Sequence, residues 1–140
     1  MYKGVVARGP LGDVVLVDSI TQADAGQAGC VVVSGSHGGW SSAQYALAQP
    51  LLCAVFNDAG VGKDDAGVVA LTLLQAQGRA AAVVAHTSAR IGDSRDTWRH
   101  GRLSQANAAA QALGARPGMT LREWLQTARD GTLDGIEENE

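Results

Sequence analysis

Three short polar segments each follow a run of apolar residues, and together they hold most of the side chains that could do chemistry. They are residues 34–39, 57–60 and 86–93. The apolar runs before them are rich in valine and alanine, which is typical of strands buried on both faces of a parallel sheet. Ligands of such sheets bind outside the carboxyl ends of the strands. The three segments therefore predict one site for a small molecule.

The first segment reads SGSHGG and combines two hydroxyls, an imidazole and three glycines. Glycines free the backbone to present amide groups to an anion or oxyanion, and a helix is predicted to begin just after the segment. Histidine is a common general acid or base near neutral pH. Alternatively, the segment is a tight turn with its histidine at the surface. The catalytic candidates here are Ser36 and His37, and the substrate-binding candidates are Ser34, Gly38 and Gly39.

Asn57 and Asp58 come directly after the second apolar run. The carboxylate could orient His37, activate a water or bind a polar ligand, and the amide could contact the substrate. Alternatively, Asp58 caps the turn through its own backbone. A phosphate-binding loop is excluded, because Asn57 replaces its first glycine and Asp64 stands where a serine or threonine should bind magnesium.

The third segment contains His86, Ser88, Arg90 and Asp93. An arginine at the end of a buried strand suits a carboxylate or phosphate, because its planar fork donates two parallel hydrogen bonds. We predict that Arg90 and Asp93 bind the substrate and that Ser88 is catalytic. Alternatively, Asp93 pairs with Arg90 in a salt bridge, and His86 is a core histidine that bonds a backbone carbonyl.

Two catalytic schemes use these side chains. In the first, a serine of the first or third segment attacks a small amide or ester, activated by His37 or His86 and oriented by a nearby aspartate. In the second, His37 and Asp58 move protons on a small carboxylic acid held by Arg90, as in a lyase or isomerase. The nucleophile elbow G-x-S-x-G is not present. No spacing comparable to H-E-x-x-H marks a metal site, so we predict neither a metal nor a cofactor.

The elements predicted around these segments alternate between strands and helices. Strands are expected over residues 4–7, 14–17, 31–33, 51–56 and 80–85, the first two as a hairpin or a pair of edge strands. Helices are expected over 41–49 with a serine cap, from a cap at Asp64 to a stop at Gly78, over 104–113 opened by Ser104, and from the capping box Thr120-Leu121-Arg122-Glu123. Residues 91–103 are expected to form a long loop that covers the site.

This alternation predicts an α/β fold with a mostly parallel sheet and helices on its faces. We expect a single three-layer domain over residues 1–130 and an acidic, frayed tail over residues 131–140. The alternative is a swivelling β/β/α domain. Trp124 lies on an apolar helix face and is expected in the core, whereas Trp40 and Trp98 could form the wall of a pocket.

The composition excludes several classes of partner. The chain has 140 residues, of which 46% are hydrophobic, and its formal net charge is −3. Because the sequence has no cluster of basic residues, it predicts no positively charged surface that would bind nucleic acid or an anionic membrane. No apolar stretch approaches the roughly 20 residues that a membrane helix needs. We therefore expect a cytoplasmic protein that binds neither nucleic acid nor membranes.

These observations favour an enzyme that acts on a small, polar, carboxylate-bearing substrate. Hydrolysis of an amide or ester is the first expectation, and a lyase or isomerase reaction is an alternative. The competing class is a non-catalytic ligand-binding or swivelling subunit that completes a site on a partner. The alanine-rich helix expected over residues 105–113 and the short chain favour a homo-oligomer or a partner subunit.

Overall fold

The computed structural model describes residues 1–8 and 12–128. Within them, six strands form one sheet, and their spatial order follows their order in the sequence. The strands are β1 (Lys3–Ala7), β2 (Val14–Val17), β3 (Val31–His37), β4 (Cys53–Asn57), β5 (Ala80–Val84) and β6 (Leu103–Ala106). The helices are α1 (Trp40–Leu47), α2 (Val69–Gln75), α3 (Ser94–His100), α4 (Ala108–Ala112) and α5 (Leu121–Ala128), with 3₁₀ turns at Ile20–Gln22, Ala25–Gln27 and Lys63–Asp65.

Strands β2 to β5 are mutually parallel, and an antiparallel strand closes each edge of the sheet. At one edge β1 pairs with β2, as the sequence predicts, and at the other β6 pairs with β5. An α/β fold with a mostly parallel sheet is thus confirmed. The middle of the turn between β1 and β2 and the predicted acidic tail lie outside the described residues. None of the helices in the described part of the chain has the length and apolarity needed to cross a bilayer.

The strands form where the sequence is β-branched or small, and both of their faces are covered. Successive strand residues point to opposite sides of the sheet. Val32 of β3 belongs to an apolar cluster with residues of α1 and α2. Its neighbour Val33 belongs to a second cluster, with Trp98 of α3 and Trp124 of α5. β3, β4 and β5 follow one another in the same direction across the sheet. Because crossovers between parallel strands are right-handed, the helices that connect these strands, α1 and α2, lie on the same face and share a cluster.

Residues 91–103 are not the covering loop that the sequence predicts, because α3 occupies most of them. Asp93 begins this helix as its N-cap, and its Oδ1 accepts a hydrogen bond of 2.9 Å from the amide of Asp96. Trp98 is fully buried in the core. A seven-residue helix has fewer than two full turns, so its apolar period is too short to recognise.

The helix predicted over residues 104–113 is wrong in its first half. Residues 103–106 form the edge strand β6, and α4 begins only after Asn107. The Asn107 Oδ1 accepts from the amides of Ala110 and Ala81 at 2.9 and 3.1 Å, and its Nδ2 donates to the carbonyls of Arg79 and Leu71 at 2.8 and 3.2 Å. Pairing with β5 therefore overrides the helix propensity of the alanine-rich sequence.

Two predicted helix starts are also incorrect, whereas one start and one stop are confirmed. The N-cap of α1 is Gly39, without a side-chain cap, and α2 starts after Val68 and not at Asp64. The capping box is present, because the Thr120 amide donates to Glu123 Oε1 at 2.7 Å and the Glu123 amide donates to Thr120 Oγ1 at 3.1 Å. Gly78 follows α2 with a φ of +70°, as expected for a residue past a helix end.

Replacing Asn107 with alanine should lower the free energy of unfolding by about 2–4 kcal/mol, because the variant loses a helix cap and leaves two carbonyls short of a donor. Urea unfolding followed by circular dichroism measures this difference. The matched control is Gln111→Ala in α4, whose exposed side chain donates to the carbonyl of Ala106. We expect the control to change stability by less than about 0.5 kcal/mol. Equal losses in the two variants would contradict the role assigned to Asn107.

Candidate functional site

The three polar segments meet at the carboxyl edge of the parallel strands. β3, β4 and β5 are neighbours, and their last residues are in register, with His37 opposite Asn57 and Asn57 opposite Val84. The segments that follow these strands therefore lie side by side. The chemistry that is possible at this edge depends on which of their side chains are exposed to solvent.

The first segment continues the strand β3 and is not the glycine loop that the sequence predicts. A register irregularity between Val33 and His37 lets the strand run on to His37. Ser34 is buried and donates its hydroxyl to the carbonyl of Val55 at 3.0 Å. The Ser36 hydroxyl accepts from the amide of Ile20 at 2.9 Å. Both hydroxyls are thus used by the main chain of neighbouring elements.

The third segment crosses back over the strand ends. Ala89 accepts a hydrogen bond of 3.0 Å from Asn57 Nδ2, and the amide of Gly92 donates to the carbonyl of Gly35 at 2.7 Å. A Cβ atom at Gly35 would lie 2.6 Å from the amide nitrogen of Asp93, so only glycine permits this crossing. Three predicted substrate-binding residues, Ser34, Asn57 and Asp93, therefore have structural contacts here.

Asp18, directly after β2, holds this crossing segment in place through hydrogen bonds. This role of Asp18 was not predicted from the sequence. Its carboxylate accepts from the amide of Tyr2 at 2.8 Å and from the amide and hydroxyl of Ser94 at 2.9 and 2.8 Å. Burial raises the pKa of this carboxyl, but those hydrogen bonds and the charge of Arg95 together hold it below its usual value. An aspartate directly after an apolar run was the available signal, the same one that marks Asp58.

Asp58 is a buried carboxylate that collects hydrogen bonds from three segments of the chain. Its side chain is only 7% exposed. Oδ1 accepts from the amides of Gly60 at 2.8 Å and His86 at 3.0 Å, and Oδ2 accepts from the hydroxyl of Ser104 at 2.7 Å. Burial raises the pKa of the carboxyl, but the donors of Ser104, Gly60 and His86 outweigh it and hold the pKa below its usual value. Asp58 is therefore an anion at neutral pH.

The imidazole of His86 lies against this anion, with its Nδ1 at 3.2 Å from Asp58 Oδ1. An ionised carboxylate can only accept hydrogen bonds, so Nδ1 is the donor. In the neutral ring the lone pair is then on Nε2. The side chain of His86 is 55% exposed. A Cβ atom at Gly60 would be 3.5 Å from the ring, and the φ of +75° at this glycine lets the backbone pass beside it.

A second histidine pairs with an aspartate, but in a different setting. His100 Nδ1 is 2.9 Å from Asp96 Oδ1, one helical turn away in α3, and the two side chains are 66% and 32% exposed. Such pairs on the surface of a helix are common and contribute little. The combination of a buried, multiply bonded carboxylate with an exposed imidazole is found at Asp58 and His86, which we call the dyad.

His37 and Arg90 lie at the same edge, but neither contacts Asp58. The exposed ring of His37 lies beside Gly39, where a Cβ atom would be 2.6 Å from its Nε2. The pairing of His37 with Asp58 that the sequence predicts is thus not formed. The main chain of Arg90 donates to Asp96 Oδ2 at 2.7 Å, while its guanidinium makes no hydrogen bond within residues 1–8 and 12–128.

The Ser88 hydroxyl is used within its own turn, donating to the carbonyl of Ala85 at 2.7 Å and accepting from the amide of Arg102 at 3.0 Å. Across the described part of the chain, no serine hydroxyl is hydrogen-bonded to a histidine ring. The sequence identified Asp58 and named His86 as an alternative base, but it placed Ser104 at a helix start. Only the pairing of β6 with β5 brings Ser104 near Asp58.

An open groove of about 490 Å³ lies away from the dyad, between α2 and β6. Its walls are mostly apolar, and neither Asp58 nor His86 lines it. Its lining residues are Leu71, Thr72, Gln75, Ala76, Gln105, Ala106 and Asn107.

Among the residues that the structure describes, no cluster of three or more histidine, cysteine, aspartate or glutamate side chains could hold a metal ion. Comparison of the chain with protein-family models, curated proteins and solved structures found no match.

Replacing Asp58 with asparagine should lower the free energy of unfolding at neutral pH by about 1–3 kcal/mol, because the donors around the carboxylate lose a charged acceptor. The folded-state pKa of Asp58 lies below the ordinary value of 3.8. The stabilisation from its charge is therefore present above that pH and is lost as the pH falls through the folded-state pKa. Urea unfolding at a series of pH values should show the difference between wild type and variant shrinking below about pH 4.

Asp65→Asn is the control for this experiment, since it removes the same charge from an exposed loop. Its effect on stability should be small at every pH. A difference for Asp58→Asn that persists or grows toward pH 3 would contradict the carboxylate's assigned role.

Proposed function

We propose that this chain is an enzyme for a small, polar, carboxylate-bearing substrate, in which His86 transfers a proton at Nε2 while Asp58 holds its imidazole. One observation carries the proposal: a buried, ionised carboxylate accepts a hydrogen bond from Nδ1 of an exposed histidine. This arrangement fixes the ring and stabilises the imidazolium that forms when Nε2 takes a proton.

The first reaction we propose is hydrolysis of an amide or ester with water as the nucleophile. His86 Nε2 would take a proton from that water, and the resulting imidazolium would return it to the leaving group. A serine nucleophile is less suited, because the hydroxyls of Ser34, Ser36 and Ser88 are engaged with the main chain. A lyase or isomerase reaction is the alternative, in which the same nitrogen removes a proton from a carbon next to a carboxylate.

Arg90 is our candidate for holding the substrate's carboxylate. It lies four residues after His86 in the segment that crosses the strand ends, and its exposed guanidinium keeps its donors for a ligand. We infer that the sheet is the middle of three layers, because its two faces contribute to separate apolar clusters with different helices.

A second candidate function is that of a subunit that completes a site on a partner. It is supported by the exposure of the His86 ring, since enzymes exclude water from the reacting groups. The side chain of His86 is 55% exposed, and Trp40, which follows the first segment, is 65% exposed. A large exposed aromatic residue is typical of a surface that another chain covers. In this second candidate function, a larger partner of different sequence supplies that cover.

Replacing His86 with glutamine should abolish turnover while leaving the fold intact. The assay follows a panel of small carboxylate esters, amides and hydroxy acids by proton NMR in heavy water, which reports both hydrolysis and exchange of a carbon-bound proton. We expect the wild type to act on one class and the variant to lose roughly 100-fold or more of that rate. Arg90→Ala should raise KM for the same substrate.

His100→Gln is the matched control, because it removes an exposed histidine that is also paired with an aspartate, and it should keep full activity. Equal rates for wild type and His86→Gln would refute the role of His86. Absence of turnover across the whole panel would favour the partner-dependent function.

Sedimentation of the purified chain distinguishes the two candidates further. A self-sufficient enzyme is expected to be a stable homo-oligomer, in which a second copy covers the exposed dyad. We expect Trp40→Ser to weaken that association while the separated chain keeps its fold by circular dichroism. A monomer at all concentrations would favour a missing partner.

A further inference from the structure

We infer that Ser104 is a positioning residue for the dyad: by fixing the Asp58 carboxylate, its hydroxyl determines which nitrogen of His86 carries the proton. This inference rests on the proposed function, because a defined lone pair at Nε2 is what a general base requires. Ser104 itself is not a catalytic residue, since it contacts Asp58 and not His86.

The two oxygens of Asp58 are held unequally. Oδ1 has three partners, all from the segments that follow β4 and β5, whereas the hydrogen-bond partner of Oδ2 is the Ser104 hydroxyl at 2.7 Å. The Ser104 contact is the shortest of the four, and the contact with His86 Nδ1, at 3.2 Å, is the longest. Loss of the Ser104 hydroxyl leaves Oδ2 without its hydrogen-bond donor, although the Asp58 side chain is only 7% exposed.

An unpaired, buried carboxylate oxygen is costly, so the group will rotate to recover donors. The amides of Gly60 and His86 belong to the main chain and cannot follow that rotation. The long contact to Nδ1 is the weakest of the set and is lost first. The imidazole then loses the partner that keeps its proton on Nδ1, and the proton distributes between both nitrogens.

The path of β6 shows how Ser104 reaches a carboxylate that lies beyond β5. The register between β5 and β6 is irregular between Val83 and Val84, opposite Ser104. Irregularities of this kind bend the strand and re-aim its side chains. Leu103 packs in the core cluster with Val84, and the next residue, Ser104, lies at the irregularity and contacts Asp58. The irregularity thus accompanies the contact with Asp58.

Nitrogen-15 NMR of the histidine rings tests the inference without a substrate. Labelled wild type, Ser104→Ala, Ser104→Thr and Ser94→Ala are compared at about pH 9, where imidazole side chains are generally neutral. The wild type should carry the His86 proton mainly on Nδ1. Ser104→Ala should change the ratio of the two tautomers by roughly threefold to tenfold, the equivalent of one ordinary hydrogen bond. Ser104→Thr restores the hydroxyl and should restore the ratio.

Two controls separate positioning from a general effect on the fold. Ser94→Ala removes a hydroxyl that donates to a different carboxylate, that of Asp18, and it should leave the His86 spectrum unchanged. The ring of His100, which pairs with Asp96, should be unchanged in every variant and serves as an internal reference. If Ser104→Ala does not fold, Ser104→Cys keeps the side-chain volume with a weaker donor and should give an intermediate shift.

A His86 tautomer ratio that is the same in Ser104→Ala and wild type would overturn the inference, as would a wild-type ring with its proton on Nε2. The spectra require no turnover, so they test Ser104 independently of the activity assay. Failure of the proposed function would instead be seen as equal rates for wild type and His86→Gln. The two failures are therefore distinguishable.

Discussion

A carboxylate shielded from water must be surrounded by hydrogen-bond donors, and this requirement at Asp58 organises the functional edge of the sheet. Its donors come from the turn after β4, from the start of the segment after β5, and from β6. Each donor also fixes the piece of chain that carries it. The position of the His86 ring is therefore a consequence of satisfying a buried charge, and the ring does not have to be held by packing.

A second constraint acts on the opposite side of the same edge. Parallel sheets ordinarily leave a crevice for ligands outside their carboxyl ends. Here the segment after β5 runs back across β4 and β3, and Gly35 lets it approach within hydrogen-bonding distance of β3. Polar residues that would otherwise line such a crevice form hydrogen bonds with this segment instead. The dyad lies on the side of this edge where β4 and β5 end.

The sequence was most informative where the signal was local. Apolar runs located β2 to β5, and the capping box at Thr120 located α5. It failed where partners distant in the chain decided the outcome: β6 is a strand because β5 offers it an edge, although its residues read as the start of an alanine-rich helix. The helix α3 is too short for its apolar residues to show a recognisable helical period in the sequence.

The same division holds for the candidate site. Asp58 was identified because it follows a strand, which is a local pattern. Asp58 pairs with His86 and not with His37 because of the conformations of the turns that follow β4 and β5. These conformations cannot be predicted from the spacing of residues in the sequence. Ser104 was interpreted as a helix cap, a role that serine often has before alanines. Its contact with Asp58 joins residues 46 positions apart.

The strand order has a consequence for how the molecule is built. Every strand pairs with the strand before it in the sequence, so the sheet can grow from one end as the chain leaves the ribosome. The dyad does not form in this stepwise way, since Asp58 follows β4 but the hydroxyl that bonds its Oδ2 comes from β6. A nascent chain stalled before residue 104 would hold most of the sheet and an incomplete dyad. The hydrogen bonds around Asp58 are therefore complete only once β6 has been synthesised and has paired with β5.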